Sequence, residues 1–280
     1  MHSCFFPADD VMPHFSYIGP GLDPQALHEG IKSVLSDQKG WSVVKQNARN
    51  LIAYQENGRL YFKSFNNDRL KELAKRSLGG SRAWRTLKGT RLLTEAGCLA
   101  PAIIACGHHQ RCDFILMEDL EGPQLLNALE SFLQAPSARP WRRELFRALG
   151  HMVGRMHAAR VAHGDLRPNN IIIHPGRLGY RLALIDNERT RKPLQFGREQ
   201  KRNLKQVMLL ADDYITPAEQ RRFFAAYFSR LDLPRHKQRR LYRETLESVR
   251  EHFARKGVAR GTPISQDYWY ILRHQQPDYR

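Results

Sequence analysis

Residues 163–170 read His163-Gly164-Asp165-Leu166-Arg167-Pro168-Asn169-Asn170. Asp165 and Asn170 stand in a D-x-x-x-x-N spacing, and a further acid, Asp186, follows in the segment LALIDNER at 182–189. Two carboxylates and one amide oxygen are what phosphoryl transfer needs. One carboxylate orients or deprotonates the acceptor hydroxyl, and the other oxygens hold magnesium against the dense negative charge of ATP. Asp, Asn and Pro are also ordinary turn formers, so the octapeptide by itself would read as a plain turn. Asp186 downstream and Lys63 upstream separate the two readings. They assign Asp165 to the acceptor hydroxyl, and Asn170 and Asp186 to the metal.

The D-x-x-x-x-N spacing is that of a kinase catalytic loop. Upstream, Lys63 lies in the middle of the run RLYFKSF at 59–65. A lysine on a half-solvated strand is commonly just a solvated lysine. With the loop present, its ammonium suits the α- and β-phosphates of ATP, as the third-strand lysine of kinases does. Met117-Glu118-Asp119-Leu120 falls where a strand-rich part gives way to a helical one. Backbone groups of Glu118 and Leu120 there could hydrogen-bond adenine.

Element signals surround these points. Leu51–Tyr54 and Leu60–Phe65 flank Asn57-Gly58, a hairpin turn, and put Tyr61, Lys63 and Phe65 on one face. Helices are expected over Arg69–Leu78 and over Arg82 to about Ala96, with Ser81 as cap and Gly97 as stop. Ala102–Cys106 and Asp113–Met117 read as strands. Leu145, Leu149, Met152, Val153 and Met156 recur at helical spacing and lead into the catalytic segment. Ile171–Ile173 and Leu182–Ile185 read as short buried strands. Thr216-Pro217-Ala218-Glu219 is a capping box opening a helix with Phe223, Phe224, Tyr227, Phe228 and Leu231 inward. A last helix, about Arg235–Lys256, carries Tyr242, Leu246, Val249 and Phe253 on one stripe and a basic surface elsewhere. The expected fold is α+β and bilobal, protein-kinase-like. Its parts are an irregular N-terminal extension over 1–40, an antiparallel-sheet lobe over 41–118 and a mainly helical lobe over 119–280, with a cleft between the lobes.

The 280 residues suffice for such a domain. Against 28 Asp+Glu stand 45 Lys+Arg, a formal charge of +17, which favours an anionic partner such as nucleic acid, anionic lipid or a phosphorylated substrate. No nucleic-acid motif is present, so nucleic acid ranks low. Four cysteines are too few for a disulfide framework and point to a reducing compartment. The N-terminal residues lack the basic-then-apolar pattern of a signal peptide. No apolar run approaches the roughly 20 residues that span a bilayer. A cytoplasmic location is expected. Cys106, His108, His109 and Cys112 are metal-ligand types, but their spacing matches no common zinc module, and His163 suits bracing the loop better than exchanging protons.

The segments HGDLRPNNIII, LALIDNERTR, KRNLKQVMLLADD and RRFFAAYF resemble those of the bacterial lipopolysaccharide core kinases, over about Trp41–Leu231. The resemblance implies phosphorylation of a heptose or Kdo sugar of the inner core with ATP and Mg2+. It makes Asp165 the catalytic aspartate, Asn170 and Asp186 the magnesium ligands and Lys63 the phosphate lysine, with Arg167 near the transferred group. It also implies peripheral attachment to the anionic cytoplasmic face of the bacterial inner membrane. The chain departs from the kinase pattern at three places. QNARN at 46–50 replaces a glycine-rich loop, Thr86 stands where relatives carry the helix glutamate that pairs with the lysine, and Asn187-Glu188 follows the metal aspartate in place of Phe-Gly. Glu72 is a substitute candidate for the glutamate. Two other readings stay open: a soluble small-molecule kinase of the aminoglycoside type, and an inactive kinase-fold scaffold that binds a polyanion.

Overall fold

The computed structural model describes residues 12–48, 50–66, 80–110, 112–133, 139–176, 179–210 and 214–256. The chain divides into two compact units, one of residues 1–91 and 101–119, the other of 92–100 and 120–280.

The first unit is built on a six-stranded antiparallel sheet in the order β1-β5-β6-β4-β3-β2. Its strands are β1 His14–Ile18, β2 Ser42–Asn47, β3 Asn50–Gln55, β4 Leu60–Asn66, β5 Ile103–His109 and β6 Cys112–Glu118. As expected, β3 and β4 form a hairpin around Asn57-Gly58, and in its register Ile52 lies opposite Lys63 and Tyr54 opposite Tyr61. Alternation along the strands gives the sheet two apolar faces. On one, Ile31, Val34 and Leu35 of helix α1 (Pro24–Leu35) pack with Phe62, Phe114 and Leu116. On the other, Ala83 and Leu87 of α2 (Arg82–Glu95) pack with Phe65, Ile103 and Ile115. As expected, Ser81 caps α2, its Oγ accepting the Trp84 N–H at 3.1 Å, and Gly97 ends it with φ 71°.

The expectation of an irregular stretch over residues 1–40 is corrected within the described part. β1 pairs with β5, and Asp23 caps α1 by accepting the Gln25 N–H at 3.0 Å, with Pro24 in the first turn. Prolines and glycines here punctuate a strand and a helix rather than replace them. The helix expected over Arg69–Leu78, and Glu72 within it, lie outside the described residues. Where a glycine-rich loop was missing from the sequence, Asn47 at the end of β2 stands opposite Asn50 at the start of β3, and the Asn50 N–H donates to the Asn47 side chain at 3.0 Å.

The four metal-type residues of the β5–β6 hairpin are split by the pleat. Cys106 belongs to the core under α2, whereas Cys112 belongs to the core under α1 and lies opposite His109. Burial pushes the Cys106 thiol up to about 11 and that of Cys112 up to about 12; Cys98, in the helical unit, is likewise pushed up to about 11.

The second unit holds α3 Leu125–Leu133, α4 Arg139–Ala158, α5 Phe196–Val207, α6 Pro217–Phe228, α7 Arg235–Arg255 and the hairpin β7 Ile171–Gly176 with β8 Gly179–Leu184. Leu145, Leu149, Met152, Val153 and Met156 of α4 are buried, as their spacing predicts. α4 meets α6 through Gly150 and Gly154. A Cβ on Gly150 would fall onto the Phe223 carbonyl, and one on Gly154 would lie 2.9 Å from the Tyr227 carbonyl oxygen. The capping box at Thr216 forms as expected, the Glu219 N–H reaching Thr216 Oγ1 at 3.3 Å and Glu219 Oε2 accepting the Thr216 N–H at 2.8 Å. On α7, Arg239, Arg240, Arg243 and Arg250 are exposed, while Leu241, Thr245 and Val249 form its most buried line.

Candidate functional site

The segment from His163 to Asn170 is held from behind by a polar core. Ala162 and Arg191 exchange backbone hydrogen bonds at 2.9 Å. Between them Gly164 takes φ 81°, and a Cβ there would meet the Arg189 carbonyl oxygen at 2.7 Å, so this position requires glycine. Pro168 opens a single 3-10 turn, Pro168–Asn170, which rotates Asn170 back over Asp165. The Asn170 Nδ2 donates to the Asp165 carbonyl at 2.9 Å and to Asp165 Oδ2 at 3.3 Å. The other carboxylate oxygen, Oδ1, faces Arg167 Nε at 2.8 Å.

Asp186 is tied to the same turn. The N–H of its neighbour Ile185 donates to the Asn170 carbonyl at 3.0 Å, and Asp186 itself sits in the left-handed region at φ 60° and ψ 50°. A non-glycine residue there is locally strained, and such strain gathers at working sites. The structure therefore brings Asp165, Asn170 and Asp186 together within the helical unit.

His163 lies under both carboxylates. Its Nε2 faces the Ile185 carbonyl and Asn187 Oδ1, each at 3.1 Å, so that nitrogen carries the proton. Burial outweighs the pull of Asn187, Asp186 and Asp165 and lowers its pKa, so the ring is neutral. It braces the loop. Asn187, which stands where kinases place Phe, completes the brace by donating to the Leu184 carbonyl at 3.2 Å.

A layer deeper are residues that pattern reading did not single out. The His163 N–H donates to Asn203 Oδ1 at 3.0 Å, and the Leu166 N–H donates to Gln206 Oε1 at 3.1 Å. Gln206 Nε2 reaches Asp165 Oδ1 at 3.4 Å. Beneath them His157, pushed down to about 4 by burial against the pull of Asn203, bridges the Tyr227 hydroxyl at 2.9 Å and Asn203 Oδ1 at 3.4 Å. The available signal was polar residues on a buried helical stripe: on α5, Asn203 and Gln206 share the inward side with Leu204 and Val207.

The sheet unit carries the remaining candidates. Lys63 sits on β4 between Ile52 and Ile115, on the face that carries α2, with Nζ 5.2 Å from the Phe65 ring centroid. Thr86 is buried and its hydroxyl donates to the Arg82 carbonyl at 3.0 Å, so it offers no carboxylate. The Glu118 N–H donates to the Ala102 carbonyl at 2.9 Å. The Glu118 N–H is thus engaged within the sheet unit. Leu120 begins the long segment of the other unit and is half-buried.

The donor set fits magnesium. Asn170 turns its amide nitrogen onto Asp165, so its oxygen is the end that can ligate, and Asp186 adds a hard carboxylate. Among the described residues no group of three or more His, Cys, Asp or Glu gathers as a ready-made cage. A cation held by few protein oxygens plus substrate phosphates is the usual magnesium arrangement. Also among them, no helix is long and apolar enough to cross a membrane.

A tRNA threonylcarbamoyladenosine biosynthesis protein of Methanospirillum hungatei, described as probably bifunctional, is 34% identical over 34% of this chain and 16% of its own. The EKC/KEOPS complex subunit BUD32 of Encephalitozoon cuniculi is 33% identical over 51% of this chain and 58% of its own. The chain thus spans less than two thirds of these curated relatives. The solved structure of WaaP in complex with acyl carrier protein matches at a TM-score of 0.59 and 23% identity over 75% of this chain and 86% of that one, a likeness of fold. With the antiparallel sheet and the helical unit, it makes the architecture protein-kinase-like. The profile of the lipopolysaccharide kinase (Kdo/WaaP) family matches residues 30–227, and the chain belongs to that family.

Proposed function

We propose that this kinase moves the γ-phosphoryl group of ATP to a sugar hydroxyl, heptose or Kdo, of the lipopolysaccharide inner core. The observation that carries the reading is the stitched trio in which Asn170 binds Asp165 and Ile185 ties Asn170 to Asp186. In the proposed reaction Asp165 accepts the hydroxyl proton as the acceptor oxygen bonds to phosphorus. The bond from phosphorus to the bridging oxygen breaks, and its electron pair leaves with ADP. Asn170 and Asp186 would hold Mg2+, which supplies charge neutralisation when bound. Lys63 would pair the α- and β-phosphates, and the Glu118 carbonyl with the Leu120 backbone would hold adenine.

The exposed arginines of α7 fit an anionic surface such as the cytoplasmic face of the inner membrane, where each basic residue contributes about 1 kcal/mol. Incubation with labelled Mg-ATP and inner-core lipopolysaccharide tests the reading. Phosphate should appear on the core sugar, and Asp165→Asn should remove it without loss of fold. Label on soluble aminoglycosides alone would instead support the small-molecule kinase. Thr86 in place of a glutamate favours a second reading, an inactive scaffold. Turnover of Mg-ATP by the wild-type chain would eliminate it.

A further inference from the structure

We propose that Gln206 is a positioning residue that selects which oxygen of Asp165 is presented to the acceptor, an inference that rests on the phosphotransfer reading above. The orientation of its amide follows from its neighbours. A backbone N–H can only donate, so the His163 N–H at 3.0 Å fixes Asn203 Oδ1, and Asn203 Nδ2 must then point the other way, to Gln206 Oε1 at 3.2 Å. The Leu166 N–H at 3.1 Å demands the same oxygen of Gln206. Two donors thus fix Oε1, and Nε2 is left facing Asp165 Oδ1 at 3.4 Å.

The line continues inward without a break. Asn203 Oδ1 also faces His157 Nε2, which therefore bears the proton of that neutral ring. His157 Nδ1 accepts from the Tyr227 hydroxyl at 2.9 Å, and that hydroxyl accepts from Gln200 Nε2 at 2.8 Å. Turning the amide of Gln206 over would set its nitrogen against two donors, the Leu166 N–H and Asn203 Nδ2, and would lose the bond to Asp165.

An ionised carboxylate offers about four acceptor positions, two on each oxygen. Arg167 and Gln206 both donate to Oδ1, and Asn170 donates to Oδ2. Oδ2 is thereby left as the oxygen with capacity for the acceptor hydroxyl. The two partners of Oδ1 differ in kind. The Arg167 side chain is 43% exposed and can swing towards a phosphate, whereas Gln206 is 9% exposed and pinned at its other end. When Arg167 leaves, Gln206 keeps Oδ1 engaged.

Two variants test this in the full chain. Gln206→Glu keeps an oxygen for the Leu166 N–H but cannot donate to Asp165, and Gln206→Met keeps the volume without either polar end. For transfer from Mg-ATP to inner-core lipopolysaccharide, kcat should fall about tenfold or more in both, the scale of a misplaced general base. The KM for ATP should stay at the wild-type value in whichever variant keeps the wild-type melting temperature. Unchanged kcat in the folded variants overturns the proposal. So does a rise in KM for ATP that matches the loss of kcat, and so does failure of both to fold, which would make Gln206 framework only. A wild-type chain that transfers no phosphate defeats the phosphotransfer reading itself and this inference with it, whereas an active wild type beside unaffected variants defeats the role of Gln206 alone.

Discussion

Arg142 on α4 grips Glu219 on α6 with two parallel bonds, Nε to Oε1 at 2.7 Å and an amino nitrogen to Oε2 at 2.9 Å, and the same amino nitrogen also reaches the Tyr214 carbonyl at 2.8 Å. Because Glu219 also closes the capping box with Thr216, one carboxylate both starts α6 and fastens it to α4.

Removing Glu219 should therefore be severe. Glu219→Ala strands the buried guanidinium and should cost about 3–5 kcal/mol, read from urea denaturation. Arg142→Met with Glu219→Leu together should recover much of that loss, since an apolar pair of similar volume has no unpaired charge to bury.

Acid should weaken the fold in two separate windows. His157 has a folded pKa near 4 because burial opposes its charge, while an unfolded histidine titrates near 6.5. The stability it contributes is complete above about 6.5 and is lost progressively as pH falls towards 4. His163 acts in the same direction. Burial alone would raise Glu219, but bonds from Arg142 and Thr216 and the Arg142 charge outweigh it and hold the carboxyl low. Its share is present above its ordinary value and goes as pH falls below that. Melting temperatures across pH 8 to 3 should show both declines, and His157→Gln should shrink the first, leaving the share of His163, without changing the second.

Gly150→Ala should destabilise, although alanine in a helix normally gains about 1 kcal/mol over glycine. The new methyl meets the Phe223 backbone rather than a movable side chain tip. A net loss of about 1–3 kcal/mol is expected from such overpacking. Stability equal to or above wild type would mean that α4 and α6 are not so close.

At Asp186, stability and activity should move apart. Asp186→Gly relieves the left-handed backbone at φ 60° and should hold or raise the melting temperature. The same change removes a proposed magnesium ligand, so stimulation of phosphate transfer by added Mg2+ should fall by orders of magnitude.

Local chemistry made much of the fold readable. Asn57-Gly58 announced its hairpin, Ser81 and Gly97 bounded α2, and the Thr216 capping box opened α6. Asp23-Pro24 carried the same kind of start signal, yet the surrounding Pro13, Gly19, Pro20 and Gly21 obscured it. β1 was harder still, because its pairing partner β5 lies about ninety residues onward and no local pattern reports that contact. In the site, Asp165, Asn170 and Asp186 were visible because spacing alone places them. Asn203 and Gln206 were not, since their importance depends on which backbone amides they meet after folding.

The buried thiols give each unit its own built-in reporter. Cys98 belongs to the helical unit, while Cys106 and Cys112 sit on opposite faces of the sheet. With every one of these sulfurs covered and its thiolate suppressed, a maleimide added at neutral pH can react at each only after the packing around it opens. Modification rates resolved by peptide mass would then time the opening of the helical unit against that of either face of the sheet, in the wild-type chain and without any introduced label site.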